Sequence, residues 1–163
     1  MQGYWRHQDE SAKTLADGWL HTGDMGYMKN GYLYLTGRQS NLICLKGGEK
    51  LHPEFVEDKL KNHPQINEAM LIGEGCKNVY ALINISDEAP ERSSREWLKE
   101  LQTELSELNA YQKPKSLLIV PAFNIEEGTM TPTLKIRRKQ ITTQYSVEIF
   151  NFLHANNEKF TEG

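Results

Sequence analysis

Two apolar runs of strand length, residues 66–72 and 79–85, flank the turn-rich Gly73-Glu74-Gly75-Cys76-Lys77-Asn78. Runs this short, bounded by turn formers, predict neighbouring strands joined by a hairpin-length connection. The two-glycine turn is not a phosphate loop. A sheet buries its apolar surface only when other elements cover it, and three helices are signalled. Pro53 opens one over 53–62, with Glu54 near its start and Val56 and Leu60 one turn apart. Ser93 and Glu96 have capping-box spacing ahead of Trp97, Leu98, Leu101, Leu105 and Leu108, which predicts a helix to Asn109. Ile141, Tyr145, Ile149 and Phe152 make one face of a last helix, and 117–120 reads as a further buried strand.

These elements predict an α+β fold: a small mixed domain with a short antiparallel sheet, a β-hairpin and about three helices. The hairpin is read from Leu42-Ile43-Cys44-Leu45, the turn Lys46-Gly47-Gly48-Glu49 and Lys50-Leu51. Residues 1–37 have little apolar periodicity beyond a turn at Lys29-Asn30-Gly31 and the alternation of 32–35. They are expected to be a β-rich remnant of a larger neighbouring domain. The organisation expected is therefore 1–37 as that remnant, 38–155 as the C-terminal domain and 156–163 as a frayed tail, with fraying from Glu158 onward.

A net charge of -3 at pH 7 provides no whole-molecule field for nucleic acid or anionic lipid, so any anion site must be local. The apolar runs are too short to span a bilayer and the first residues lack a signal-peptide layout, so a cytoplasmic protein is expected. Cys44 and Cys76 lie in or beside strand-like segments and read as reduced core thiols. The five histidines show no metal-ligand spacing, so no metal site is expected.

Three segments carry chemistry. Gly18-Trp19-Leu20-His21-Thr22-Gly23-Asp24 ends a tight turn on an Asp whose two oxygens can accept from a diol; alone, it reads as a solvated turn. Fourteen residues on, Gly37-Arg38-Gln39-Ser40-Asn41 presents a guanidinium fork, followed by Gly47-Gly48, where backbone can approach a ligand closely. Thr131-Pro132-Thr133-Leu134-Lys135-Ile136-Arg137-Arg138-Lys139 is a basic cluster on a Pro- and Thr-rich loop. Such a cluster is usually a solvated face, with nucleic acid the common second reading. Neither explains the turn-forming frame around Lys135, which suits delivery of a mobile point charge to a phosphate or carboxylate.

In this order and spacing the three segments resemble the adenylate-forming superfamily of acyl-CoA synthetases, adenylation domains and luciferases, from about Gly3 to about Ile141. Thr131-Pro132-Thr133-Leu134-Lys135 is most similar to the long-chain fatty acid-CoA ligases; adenylation domains and luciferases usually have Gly immediately before the lysine. The resemblance implies that Asp24 holds the ATP ribose hydroxyls, that Arg38 joins it, and that Lys135 contacts the α-phosphate and the substrate carboxylate. It implies further that the hairpin with Gly47 and Gly48 lines the pantetheine tunnel of CoA, with Arg137, beside Arg138 and Lys139, receiving CoA phosphates. Ser40 departs from the usual charged hinge residue.

The activity implied is AMP-forming ligation: a fatty or related carboxylic acid reacts with ATP, accompanied by Mg2+, to give an acyl-adenylate that passes to CoA. The phosphate loop and acyl pocket of this superfamily are absent from these 163 residues, so the chain alone is not expected to turn over. The resemblance leaves room for an acyl carrier protein as acceptor and for a peripheral membrane contact of a full-length enzyme. No nucleic acid is expected as a partner. The reading from another class is a free-standing, non-catalytic interaction module.

Overall fold

The computed structural model describes residues 3–158. The chain divides into two units, residues 1–42 and 43–163. Unit 1 holds α1 (Gln8–Thr14), β1 (Leu15–Ala16), β2 (Trp19–Leu20), β3 (Asp24–Lys29) and β4 (Tyr32–Arg38). Unit 2 holds β5 (Ile43–Cys44), β6 (Lys50–Leu51), α2 (Pro53–Lys61), β7 (Ile66–Ile72), β8 (Tyr80–Ile85), α3 (Ser94–Glu100), β9 (Leu117–Ile119), α4 (Arg138–Gln144) and α5 (Ser146–Ala155).

In unit 1, β3 and β4 form an antiparallel hairpin whose turn residues Asn30 and Gly31 both have positive φ, the conformation that matches strand twist. None of its described residues is buried, although Tyr27, Leu33 and Leu35 are large and apolar. Helix α1 was not signalled by periodicity, since it buries nothing. Its acidic first turn, Asp9 and Glu10, and basic last turn, Lys13, match the helix dipole and were the available cue. The tie between Arg38 and Asp24, the Gln39–Asn41 3-10 turn and the bond from Gln39 N–H to Gly23 O keep 38–41 with unit 1.

Unit 2 is built on the sheet β7-β8-β9, antiparallel between β7 and β8 and gaining β9 as a parallel third strand. Side chains alternate across it. Ala69, Leu71, Ala81 and Ile83 enter one core with Val56 and Leu60 of α2 and Trp97 of α3. Met70, Tyr80 and Leu82 enter the other with Ile141, Tyr145, Ile149 and Leu153 of α4 and α5. Burial on both faces is why β8 reads as a continuous apolar run.

Two predicted helices are interrupted. The Ser93–Glu96 capping box forms as expected, but α3 ends at Glu100 and 101–108 continue as turns. Ser106 diverts a backbone acceptor there, its Oγ donating to Thr103 O at 2.7 Å. Leu101, Leu105 and Leu108 stay buried nonetheless. The last helix breaks at Tyr145, after Thr142 and Thr143 donate back to Arg138 O and Lys139 O, a bond that bends helices.

The expected fraying from Glu158 is corrected for that residue; 159–163 lie outside the described residues. Glu158 is buried and accepts from Lys77 N–H, Asn78 N–H, Asn78 Nδ2 and, at 2.8 Å, Tyr80 Oη. Burial pushes its carboxyl up, but these donors more than offset that and hold it below its usual range. A short polar sequence does not reveal that a carboxylate will cap a distant turn. Cys44 and Cys76 are free thiols, and burial, with Glu158 and Glu74 nearby, raises Cys76 to about 11.

Candidate functional site

Asp24 and Arg38 face each other at the open end of the β3–β4 ladder, where their Cα atoms are register partners. Arg38 Nε lies 3.2 Å from Asp24 Oδ1. Gly23, with φ of +74, makes the turn before β3, and Asp24 N–H donates to Thr22 Oγ1 at 3.1 Å. The backbone of the turn is thus held without help from the Asp24 carboxylate. Both side chains reach solvent, so an acceptor and a guanidinium are presented together, a donor and acceptor set that can meet a diol.

The remaining candidates belong to unit 2. Gly47 and Gly48 form the tip between β5 and β6, closed by Leu45 N–H to Glu49 O at 2.8 Å and Gly48 N–H to Leu45 O at 2.9 Å. Gly48 has φ of +93, a requirement for glycine in the backbone itself. Gly47 differs: the nearest atoms an added Cβ would meet belong to the flexible Glu49 carboxylate. The hairpin is backed by the 73–78 turn, through Lys46 N–H to Cys76 O, Gly75 N–H to Cys44 O and Cys44 N–H to Glu74 Oε2.

Lys135 sits on the returning arm of a tight loop. Thr131 N–H donates to Lys135 O at 2.8 Å, Lys135 N–H donates to Thr131 Oγ1 at 3.0 Å, and Met130 bridges Ile136. The outgoing arm then enters α4 through Arg137, its N-cap. Lys135 is exposed, and among the described residues no carboxylate pairs with its ammonium. A hydrogen-bonded backbone thus carries a cation that is unpaired among the described residues, suited to an anionic ligand. The glycine hairpin roots its Ile43, Leu45 and Leu51 in one core, while Met130 below Lys135 belongs to the other. The apolar anchors of the two candidate loops thus lie on opposite faces of the sheet.

Leu134, immediately before the lysine, has φ of +57. That left-handed conformation costs a non-glycine residue about 1–2 kcal/mol, which gives a physical reason for glycine at this place in a loop of this shape. Leu134→Gly is expected to stabilise the chain by about 0.5–1 kcal/mol, the relief being partly cancelled by glycine's greater chain entropy. Urea denaturation of the two proteins checks this; a lower midpoint for the glycine variant contradicts it.

The basic cluster is not one face. Arg137 and Lys139 are exposed, but Arg138 is half-buried: its guanidinium pairs with Glu57 of α2 and lies 3.5 Å from Leu71 O. Arg138 is therefore corrected from a CoA-phosphate candidate to an internal partner. Glu57 is buried and also accepts from Leu71 N–H at 2.6 Å. Burial pushes its carboxyl up, while Arg138 and the Leu71 amide pull it back without fully offsetting burial. Sequence reasoning missed Glu57, though Pro53, Glu57 and Leu60 at helical spacing put a carboxylate on the buried face of α2. Among the described residues no group of three or more His, Cys, Asp or Glu can hold a metal ion.

A family model for the AMP-binding enzyme C-terminal domain matches residues 40–157. The long-chain-fatty-acid–CoA ligase FadD15 of Mycobacterium tuberculosis is 30% identical over 172 residues, covering 91% of this chain and 29% of that protein. The 2-succinylbenzoate–CoA ligase of Bacillus cytotoxicus is 44% identical over 73 residues, covering 44% of this chain and 15% of that protein. The adenylation domain of a carboxylic acid reductase from Segniliparus rugosus, solved with AMP and a co-purified carboxylic acid, superimposes with a TM-score of 0.85 at 21% identity. That match covers 96% of this chain and 26% of the other, and it establishes a shared fold. The chain spans less than a third of the length of these relatives.

Proposed function

Because the chain belongs to the AMP-binding enzyme C-terminal domain family, we propose that it is the C-terminal part of an AMP-forming acyl-CoA synthetase. The reaction proposed activates a fatty or related carboxylic acid with ATP as an acyl-adenylate and transfers the acyl group to CoA. The observation that carries this reading is the ammonium of Lys135, unpaired among the described residues, on an exposed, hydrogen-bonded loop whose apolar anchor Met130 lies on the sheet face opposite that of the glycine hairpin. A long-chain fatty acid is the finer reading, supported by the likeness to FadD15 and by Leu134 in place of glycine.

In the first half-reaction the Asp24 carboxylate accepts hydrogen bonds from the ribose hydroxyls, and Arg38 orients it from 3.2 Å away. The carboxylate of the acid attacks the α-phosphorus of ATP and pyrophosphate leaves. Lys135 stabilises the negative charge gathering between carboxylate and α-phosphate, a preorganised electrostatic role with no proton transfer. Magnesium accompanies the nucleotide as its counter-ion.

In the second half-reaction the thiol of CoA attacks the acyl carbon and AMP leaves. A conformational change in the 38–41 linker withdraws Lys135 and presents Gly47 and Gly48 to the pantetheine arm, so that one domain serves both steps from its two faces. Ser40 can adopt a new backbone conformation there, although it lacks the ion pairs of a charged hinge. Arg137 and Lys139 are the exposed cations left to receive CoA phosphates. An acyl carrier protein as the acceptor would use the same hairpin.

The full-length protein tests this with ATP, CoA and a panel of carboxylic acids: AMP and thioester should appear together and depend on all three. Neither product with any acid overturns the reading in favour of a non-catalytic module. Gly47→Phe then probes the hairpin, since that position needs no left-handed backbone and Glu49 can move aside. Thioester formation from supplied acyl-adenylate should fall more than adenylate formation, measured as pyrophosphate release. An equal fall in both steps counts against a hairpin dedicated to the second.

A further inference from the structure

The Glu57–Arg138 pair lies outside the chemistry described above, yet it is built into the base of the Lys135 loop. Its carboxylate joins three elements: Glu57 comes from α2, Leu71 N–H of β7 donates to it at 2.6 Å, and Arg138 opens α4. Arg138 is three residues beyond Lys135. Between them the arm is paired to its own incoming strand, by the Met130–Ile136 bridge and by Arg137 N–H to Thr129 O at 2.8 Å. The incoming arm is held separately, by buried Thr129, whose hydroxyl donates to Asn124 O at 3.0 Å and accepts from Asn124 N–H at 2.7 Å. Among the described residues, Arg138 is the side chain through which the 134–138 arm hydrogen-bonds to other elements.

A buried ion pair is a poor source of stability, because desolvating two charges cancels much of their attraction. An apolar pair of similar volume packs at least as well. What a guanidinium fork on a doubly bonded carboxylate adds is direction: it allows one position of the arm relative to α2 and β7. The arm it sets carries Lys135.

We propose that Glu57, acting through Arg138, is a positioning residue for adenylate formation, locking the outgoing arm of the Lys135 loop to α2 and β7 so that the ammonium is held at one place. The proposal rests on the reading of Lys135 as the lysine of the first half-reaction. Glu57 itself touches no substrate.

The test is a double-mutant cycle in the full-length protein, with adenylate formation and transfer from supplied acyl-adenylate followed separately. Glu57→Gln keeps an acceptor for Leu71 N–H but removes the charge that orients Arg138. It should slow adenylate formation by about 10- to 100-fold, the scale of an ångström-sized misplacement of a reacting group. Transfer from supplied adenylate should stay within about twofold, the ordinary scatter of independent sites. In a Lys135→Ala background the same substitution should change adenylate formation by no more than about twofold, because the group it positions is gone. A merely structural residue gives the same loss in both backgrounds, or depresses both half-reactions, and either result overturns the proposal. Should Glu57→Gln fail to fold, Arg138→Lys, which keeps the charge and loses the fork, takes its place in the same cycle, and a full adenylation rate in that variant overturns the proposal. A Lys135→Ala protein that forms adenylate at the full rate overturns the functional reading itself, and the positioning role with it.

Discussion

Lys135→Ala in the full-length protein is expected to slow adenylate formation by about 100- to 1000-fold, the usual loss for one preorganised charge-stabilising donor. The structure makes this substitution a clean one. The loop is held by backbone and threonine contacts, Thr131 N–H to Lys135 O, Lys135 N–H to Thr131 Oγ1 and Leu134 N–H to Thr131 O, none of which uses the lysine side chain. The side chain is exposed and, among the described residues, unpaired, so removing it leaves no buried partner among them stranded. A loss of rate therefore reports on chemistry and not on folding. Transfer from a supplied acyl-adenylate to CoA should be nearly spared, since the proposed mechanism has withdrawn the lysine by then. Separate assays of pyrophosphate release and of thioester formation decide the matter. Equal losses in both steps would rule out a lysine that serves only the first.

The sequence was most legible where a repeat interval reports a face. Alternation and apolar runs located β7, β8 and β9, and Pro53 and the Ser93–Glu96 box located the starts of α2 and α3. Helix ends were less legible, because they depend on competition for backbone acceptors by Ser106, Thr142 and Thr143, which periodicity does not register. The split in the basic cluster was hidden for a different reason. Arg137, Arg138 and Lys139 look alike in one dimension, and what separates them is a carboxylate 81 residues away in sequence. Glu158 is the same case, capping the 77–80 segment from the far end of the chain. Charges that act locally can be read from spacing, whereas charges that close long-range contacts cannot.

On the proposed reading, the Asp24 turn is a contact weak for the fold and strong for a ligand. Arg38 and Asp24 are both solvent-reaching, and an exposed ion pair contributes about 0–1 kcal/mol to stability. The turn keeps its shape without the carboxylate, through positive-φ Gly23 and the bond from Asp24 N–H to Thr22 Oγ1. Asp24→Ala should therefore fold normally. Its effect on ATP use should be much larger, because losing a charged acceptor from a bound diol is worth roughly 1.5–3 kcal/mol, about 10- to 150-fold in kcat/KM for ATP. The loss should appear whichever acid is supplied, since the ribose is common to every reaction. A nucleotide lacking the 2′-hydroxyl sharpens the test: it should be a poor substrate for the parent protein, and its disadvantage should shrink in Asp24→Ala. If the variant uses ATP as the parent does, the carboxylate only decorates a turn, and the nucleotide must be held by other residues.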